Sequence, residues 1–277
     1  MNQTTQWWQI RCQAENSEEF AAIAMIEGAK GTEIIDSEEF FVYADSQPTD
    51  LIEQLKSYGI LVKEFTQIKP VNYVQKCADV WQPITVGDVS LKPVLDSDGP
   101  TPNVESGTIW IIPGNGFGTG HHESTRLAIG LMLKDEVLSF APKQILDLGT
   151  GNGVLGLSAA LKFTCQIDAI DTDYLAIENA EQNCRLNPEI GSKLNLITGD
   201  ISKARDDYDL IFANIYASTL MQLQGEIKSR LKKGGFAILA GIMLHEGQDV
   251  ERSYSDGWKV VARSGEGNWT SFLLQRL

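Results

Sequence analysis

The sequence predicts a chain of two domains, a doubly wound parallel α/β sheet over residues 84–277 and a small α+β domain over residues 1–68. Three observations carry this. From Gln144 onward, apolar runs alternate five times with helical patterns, as in a parallel sheet with helices on both faces. The first of these runs ends in Asp147-Leu148-Gly149-Thr150-Gly151-Asn152-Gly153, where three closely spaced glycines mark a tight turn that can lie against a ligand. The first quarter gives two helical segments set among four short strands.

In chain order, Trp7 to Cys12 alternates and predicts a strand. Ser17 is expected to cap a helix that starts at Glu18 and stops at Gly28. Thr32 to Ile35 and Phe40 to Tyr43 predict strands joined by the polar turn Asp36 to Glu39. A helix over Pro48 to Tyr58, stopped at Gly59, and a strand over Ile60 to Phe65 complete a β-α-β-β-α-β order, that of the ferredoxin-like unit. Residues 69–83 carry two prolines and are expected to be a linker, with a possible helix inside Val71 to Trp81.

The larger domain is expected to open with one or two strands in Ile84 to Leu95, a loop over Asp96 to Ser106 and a strand over Thr108 to Ile112. A glycine-rich loop, Pro113 to His122, precedes a helix expected over Glu123 to Leu138. The alternating part follows as strands Gln144–Leu148, Cys165–Ile170, Lys193–Thr198, Tyr208–Ala213 and Phe236–Gly241. Helices are expected over Val154–Lys162, Tyr174–Leu186, Ala217–Leu231 and His245–Ser255. Strands Trp258–Ala262 and Thr270–Gln275 close it as an antiparallel edge of a seven-stranded, Rossmann-like sheet.

Composition narrows the function classes. No run is apolar and long enough to span a bilayer, and the polar start Met1 to Gln6 does not read as a signal peptide. The four cysteines are widely spaced, with neither metal-ligand spacing nor a disulfide framework, which fits a reducing cytoplasm. Three histidines supply a metal site poorly, so none is expected. A formal charge of −14 argues against direct nucleic-acid binding and is compatible with steering a basic protein partner. The chain is expected to act as a monomer away from membranes.

The candidate site residues lie at strand ends on the carboxyl side, where ligands sit in such sheets. Gly151-Asn152-Gly153-Val154-Leu155-Gly156 satisfies the dinucleotide pattern G-x-G-x-x-G, so a nicotinamide or flavin remains open. Asp147 shifts the choice, because a carboxylate suits a ligand with an ammonium or hydroxyls better than a pyrophosphate. The closing strand pair also matches the S-adenosylmethionine version of the sheet. Asp171, about 20 residues past the loop, is placed to accept hydrogen bonds from ribose hydroxyls, while Asp173 is expected to cap the next helix. Asp200 sits where an adenine amino group would be read, or is an ordinary turn acid. Asn214 has both an acceptor and a donor and can aim an amine at a sulfonium methyl, or can cap the following helix. Ser124 and Thr125 stand near a helix start, placed for a carboxylate. Trp7, Trp8 and Trp269 are expected in the core or at an interface.

Phe117-Gly118-Thr119-Gly120-His121-His122-Glu123-Ser124-Thr125 resembles the Phe-Gly-Thr-Gly-x-His-x-Thr-Thr signature of the PrmA family, the methyltransferases of large-subunit ribosomal protein L-eleven. Asn214-Ile215-Tyr216 resembles that family's Asn-Ile/Leu-Leu/Tyr motif, and Trp7-Trp8-Gln9-Ile10, Val80-Trp81-Gln82-Pro83 and Trp269 extend the likeness along nearly the whole chain. The resemblance implies cofactor contacts from Thr125, Gly149, Asp171 and Asn214, with Asp147, Gly151, Phe117, Gly118, Thr119 and Asp200 as further candidates. It also implies that the small domain recognises the ribosomal protein and swings on the linker, and that lysine and N-terminal amines are methylated from S-adenosylmethionine. The chain departs from the pattern at Ile112, Asn115-Gly116, Ser124 and Tyr174. Methylation of another protein or a small molecule, or nicotinamide-dependent oxidation, are the competing readings.

Overall fold

The computed structural model describes residues 7–15, 17–44, 46–68, 83–94, 107–112 and 122–277. The chain divides into two compact units, 1–76 and 77–277. The expected linker lies, apart from Pro83, outside the described residues, as do the possible helix at 71–81 and the loops at 96–106 and 113–121.

The first unit has strands β1 (Trp7–Gln13), β2 (Gly31–Ile34), β3 (Glu39–Ala44) and β4 (Leu61–Ile68), and helices α1 (Ser17–Ile26) and α2 (Thr49–Ser57). The strands pair antiparallel in the order β2-β3-β1-β4, the order the β-α-β-β-α-β reading requires. Alternation puts Ile10, Cys12, Phe40, Val42 and Ala44 on one face, packed with Ala21, Ala24, Leu51, Ile52 and Leu55. Ser17 does not cap α1. It is the first helical residue, and its hydroxyl donates to the Asp36 carbonyl. The Asp36 carboxylate instead closes the β2–β3 turn by accepting from the Glu38 and Glu39 amides, both at 2.9 Å.

The second unit opens with a separate three-stranded sheet that the sequence reading had not distinguished: β5 (Ile84–Val86), β6 (Val89–Pro93) and β7 (Thr108–Ile111). Its apolar residues Val89, Leu91, Ile109 and Ile111 join the core of the large sheet. The helix expected over Glu123 to Leu138 breaks into α3 (Glu123–Met132) and α4 (Asp135–Phe140), with extended backbone at Lys134. Apolar spacing continues through the break, so periodicity alone cannot show it. Leu133 packs against the turn at Gly87, where an added Cβ would lie 2.7 Å from its Cδ1.

The large sheet comprises β8 (Gln144–Leu148), β9 (Gln166–Asp171), β10 (Leu194–Thr198), β11 (Tyr208–Asn214), β12 (Leu231–Met243), β13 (Trp258–Glu266) and β14 (Trp269–Arg276). Their order is β10-β9-β8-β11-β12-β14-β13. The first five run parallel, and β14 runs antiparallel to both neighbours. The antiparallel strand is therefore second from the edge, and β13 runs with the parallel set. The connecting helices are α5 (Val154–Lys162), α6 (Tyr174–Leu186), α7 (Pro188–Gly191), α8 (Ala217–Gln222), α9 (Gln224–Arg230) and α10 (Gly247–Ser253). The helix expected over Ala217–Leu231 is thus two short ones parted at Leu223.

Two apolar layers hold the sheet. Ile145, Leu210, Phe212, Phe236 and Ile238 face one side, and Leu146, Leu148, Ile211, Ala213, Ala237 and Leu239 the other. Full burial of a side chain such as Phe212 is worth about 1.5–3 kcal/mol. In the amino-terminal half of β9, Asp168 is 1% exposed and accepts from Arg205 Nε (2.7 Å), Tyr208 OH (2.7 Å) and Asn195 Nδ2 (2.8 Å). Burial alone would raise this carboxyl, but the three donors and the Arg205 charge outweigh it and hold it below the usual value.

Asp168→Ala leaves three donors without their acceptor and is expected to cost about 3–5 kcal/mol in urea unfolding at pH 7. A depressed folded-state value means that the carboxylate stabilises above the unfolded value near pH 3.8 and that this is lost as pH falls through the folded value. The difference between wild type and Asp168→Ala should therefore narrow on acidification below about pH 4, as followed by unfolding curves over a pH series.

Candidate functional site

The carboxyl ends of the parallel strands converge on a cavity of about 610 Å³, within the size range of small-molecule sites. Strand order sets the order of residues along its floor: Asp200 after β10, Asp171 at the end of β9, Gly149 after β8, Asn214 at the end of β11, Gly241 in β12 and Trp269 at the start of β14. All six line the cavity.

The glycine loop is tied to the neighbouring strand. Gly149 and Thr150 amides both donate to the Ile170 carbonyl, at 2.8 and 3.0 Å, and the Gly151 amide donates to Asp171 Oδ2 at 2.8 Å. Asp171 Oδ1 accepts from the Asp173 amide at 2.9 Å. Each carboxylate oxygen has thus taken one backbone N–H and keeps further acceptor capacity on the cavity side. Gly149 has φ +72°, and a Cβ there would stand 2.4 Å from Ile215 Cγ2, so this turn requires glycine on both counts.

Asp147 lies elsewhere than the motif suggested. It shares a face of β8 with Ile145, under α5, and is fully buried. Its Oδ2 accepts from Thr150 Oγ1 at 2.6 Å and from the Gly156 amide at 2.9 Å. It is not among the cavity-lining residues. Burial pushes this carboxyl up to about 6, against those two hydrogen bonds, and the nearby Asp171 charge adds to the rise. Asp147 braces the loop from behind. Spacing within the motif could not tell which face of the strand it occupied.

Asp173 caps α6, its side chain accepting from the Leu175 amide at 2.9 Å, as expected. Asp200 caps the 3₁₀ turn Ile201–Lys203 by accepting from the Ser202 amide at 2.8 Å, the turn-acid reading, and it also lines the cavity. Those hydrogen bonds from Ser202 hold its carboxyl below the usual value.

Asn214 does not cap α8, whose N-cap is Tyr216. Its Nδ2 donates a long hydrogen bond of 3.4 Å to Thr125 Oγ1, so residues 89 positions apart meet. Asn214 Oδ1 is buried and has no partner among the described residues. Thr125 itself is fully buried in the first turn of α3. Ser124, also buried, bonds within its own turn, its hydroxyl 2.8 Å from His122 Nδ1. Phe117, Gly118 and Thr119 lie outside the described residues.

Gly241 and Trp269 are among the lining residues that the sequence did not single out for the site. Gly241 has φ +77° inside a strand, at the register shift between Leu239 and Ile242, and a Cβ there would meet the Ile215 carbonyl at 2.6 Å and Asn214 Oδ1 at 3.1 Å. A glycine inside an apolar strand is itself a signal of a bulge or close approach. Trp269, expected in the core or at an interface, lines the cavity. Its ring meets His122 at 4.4 Å between centroids, the planes at 71°. Burial holds the His122 imidazole below its usual value, so the ring beside Trp269 is neutral at pH 7. Among the described residues no cluster of His, Cys, Asp or Glu is placed to hold a metal ion.

Comparison with known proteins agrees with this architecture. Residues 39–277 match the family model described as ribosomal protein L11 methyltransferase (PrmA). Relatives named ribosomal protein L11 methyltransferase include one from Trichlorobacter lovleyi, 37% identical over 64% of this chain and 61% of its own length. Another, from Campylobacter concisus, is 35% identical over 61% of this chain and 58% of its own. The matched region thus spans less than two thirds of either relative. A crystal structure of ribosomal protein L11 methylase from Lactobacillus delbrueckii subsp. bulgaricus has the same fold, with a TM-score of 0.60 at 24% identity over 71% of this chain and 99% of that one. Since the family match runs through both β3 of the first unit and the whole cavity floor, this chain belongs to the ribosomal protein L11 methyltransferase (PrmA) family.

Proposed function

We propose that this chain transfers methyl groups to amines of ribosomal protein L11, both lysine side chains and the N-terminal α-amine. The family's cofactor is S-adenosylmethionine, which when bound supplies an electrophilic methyl group on a sulfonium. The observation that carries the reading is Asn214. Its amide is anchored through Nδ2 to Thr125, and Oδ1 is left as a buried acceptor beside the cavity.

The cavity suits such a cofactor. Asp171 retains acceptor capacity for ribose hydroxyls, the backbone at Gly149 and Gly151 comes close without side chains, and Asp200 offers an acceptor to an adenine amino group. Thr125, fully buried and not among the cavity-lining residues, acts through Asn214, and by the family signature Phe117, Gly118 and Thr119 complete the contacts we assign to the cofactor. Asp147 acts through the loop it braces and does not touch the ligand. Asn214 Oδ1 accepts an N–H of the substrate amine and so turns the nitrogen lone pair toward the methyl. Displacement at a methyl carbon with a good leaving group depends on such alignment more than on acid or base strength. The amine reaches the site neutral, its proton having passed to water.

We further assign substrate recognition to the N-terminal unit and the freedom to present the substrate to residues 69–83. The net charge of −14 supports a basic partner through long-range steering.

Incubation with large-subunit ribosomal proteins and isotopically labelled cofactor, followed by mass spectrometry, should place label on L11. Label confined to other proteins would reassign the substrate. Asn214→Ala should lower turnover by more than about tenfold, an effect of roughly 1.4 kcal/mol on the barrier. Unchanged turnover would remove Asn214 from the mechanism. Shortening 69–83 by several residues should cut methylation of the protein while S-adenosylhomocysteine affinity, measured by calorimetry, stays the same. Parallel loss of both would argue against a recognition unit on a linker.

A further inference from the structure

The reading above accounts for the cavity from Asp200 to Asn214 and leaves its other end unassigned. Strand order defines that end. Neighbouring strands lie about 4.8 Å apart, so Asp171 stands two strands, or about 10 Å, to one side of Asn214; Trp269 lies two strands to the other side and further along them, since it pairs with Met243 where Asn214 pairs with Ala240. A ligand with its ribose at Asp171 and its methyl at Asn214 has Trp269 beyond the reacting carbon, on the side from which an amine must approach. Tyr216, two residues past Asn214, also lines the cavity and is 81% exposed, an unusual exposure for a large aromatic ring in the middle of a site. Among the described lining residues, Tyr216 and Trp269 are the aromatic ones.

The chemistry of repeated methylation gives this pair a task that Asn214 cannot perform. Each transfer forms one N–C bond and breaks one S–C bond, with the bonding pair left on sulfur. The alkylated nitrogen then sheds a proton to solvent before it can react again. A neutral primary amine has two N–H bonds to offer Asn214 Oδ1, a monomethyl amine has one and a dimethyl amine has none. Alignment by hydrogen bonding therefore fades as methyl groups accumulate. Aromatic faces behave in the opposite way. They attract alkylammonium groups through the ring quadrupole and pack against each added methyl, the means by which methylated ammonium ligands are recognised in aromatic cages. Trp269 is held for this by its near-perpendicular contact with His122, and the neutral imidazole there adds no competing cation.

We propose that Trp269 and Tyr216 form an aromatic amine subsite that retains mono- and dimethylated amines at Asn214 and so sets how many methyl groups each nitrogen receives. The inference rests on the amine-methylating reading and can fail separately from it.

The test compares wild type, Trp269→Ala, Trp269→Phe and Tyr216→Ala by mass spectrometry of methyl states on L11 at matched total methyl incorporation. The expected result is a fall in trimethyl product relative to monomethyl of about fivefold or more in the alanine variants, with Trp269→Phe near wild type. Binding gives a second readout that needs no turnover. In the presence of S-adenosylhomocysteine, choline should bind about threefold or more tightly than its neutral isostere 3,3-dimethyl-1-butanol, and Trp269→Ala should abolish that preference. S-adenosylhomocysteine affinity in each variant checks that the cofactor side is intact. If wild type methylates no ribosomal protein, the reading of the enzyme fails. If it does and the methyl states are the same in all variants, the aromatic subsite is overturned. A selective loss of S-adenosylmethionine affinity over S-adenosylhomocysteine in Trp269→Ala would also overturn it, because the indole would then serve the sulfonium of the cofactor.

Discussion

The site depends on how one short loop is fastened to the strand beside it. The amides of Gly149 and Thr150 share the Ile170 carbonyl, and the Gly151 amide is held by Asp171. These bonds extend the β8–β9 pairing past the end of the strand into the turn. The turn therefore inherits the rigidity of the sheet, and Asp171 is oriented by the backbone it helps to fix. Asp147 supports the same turn from the opposite side through Thr150 and Gly156. A buried carboxyl raised to about 6 is a costly brace, and it persists because removing it would leave a hydroxyl and an amide of the loop without an acceptor.

The sequence carried the parallel part of the fold well. Tyr174–Leu186 and Val154–Lys162 form helices with the bounds their apolar spacing predicts, and both glycine loop and Asp171 fall where a strand–turn–helix pattern puts them. Breaks in helices were invisible because they do not disturb spacing. Lys134 goes extended and Leu223 parts α8 from α9, yet Leu133, Val137, Leu220 and Ile227 keep a helical rhythm across both gaps. At the break Leu133 packs on the turn at Gly87, a contact between distant parts of the chain that a local pattern cannot contain.

The site was readable at the strand ends and unreadable where a residue's role depends on strand order. Asn214 and Asp171 follow apolar runs and announce themselves. The anchoring of Asn214 by Thr125 joins residues from distant parts of the chain; strand-end and helix-start positions put each in the candidate site, but their contact with each other depends on the tertiary fold. Trp269 gave no local sign at all. It reaches the cavity because β14 is inserted between β12 and β13 and runs against them, which brings the start of that strand to the end at which the parallel strands finish. The G-x-G-x-x-G spacing fits dinucleotide and sulfonium nucleosides equally, and membership of the family decides between them.

That insertion has a consequence for how the domain assembles. β13 and β14 form a local hairpin, whereas β12 finds β11 across a helical crossover. Until the hairpin docks, the flank of β12 is a row of open amides and carbonyls, a template on which another chain could pair. Docking β14 there seals this hazard and in the same movement delivers an indole to the mouth of the site. The same strand pairing thus completes the binding crevice and covers the open edge of β12, so a lesion that loosens the hairpin uncovers both at once.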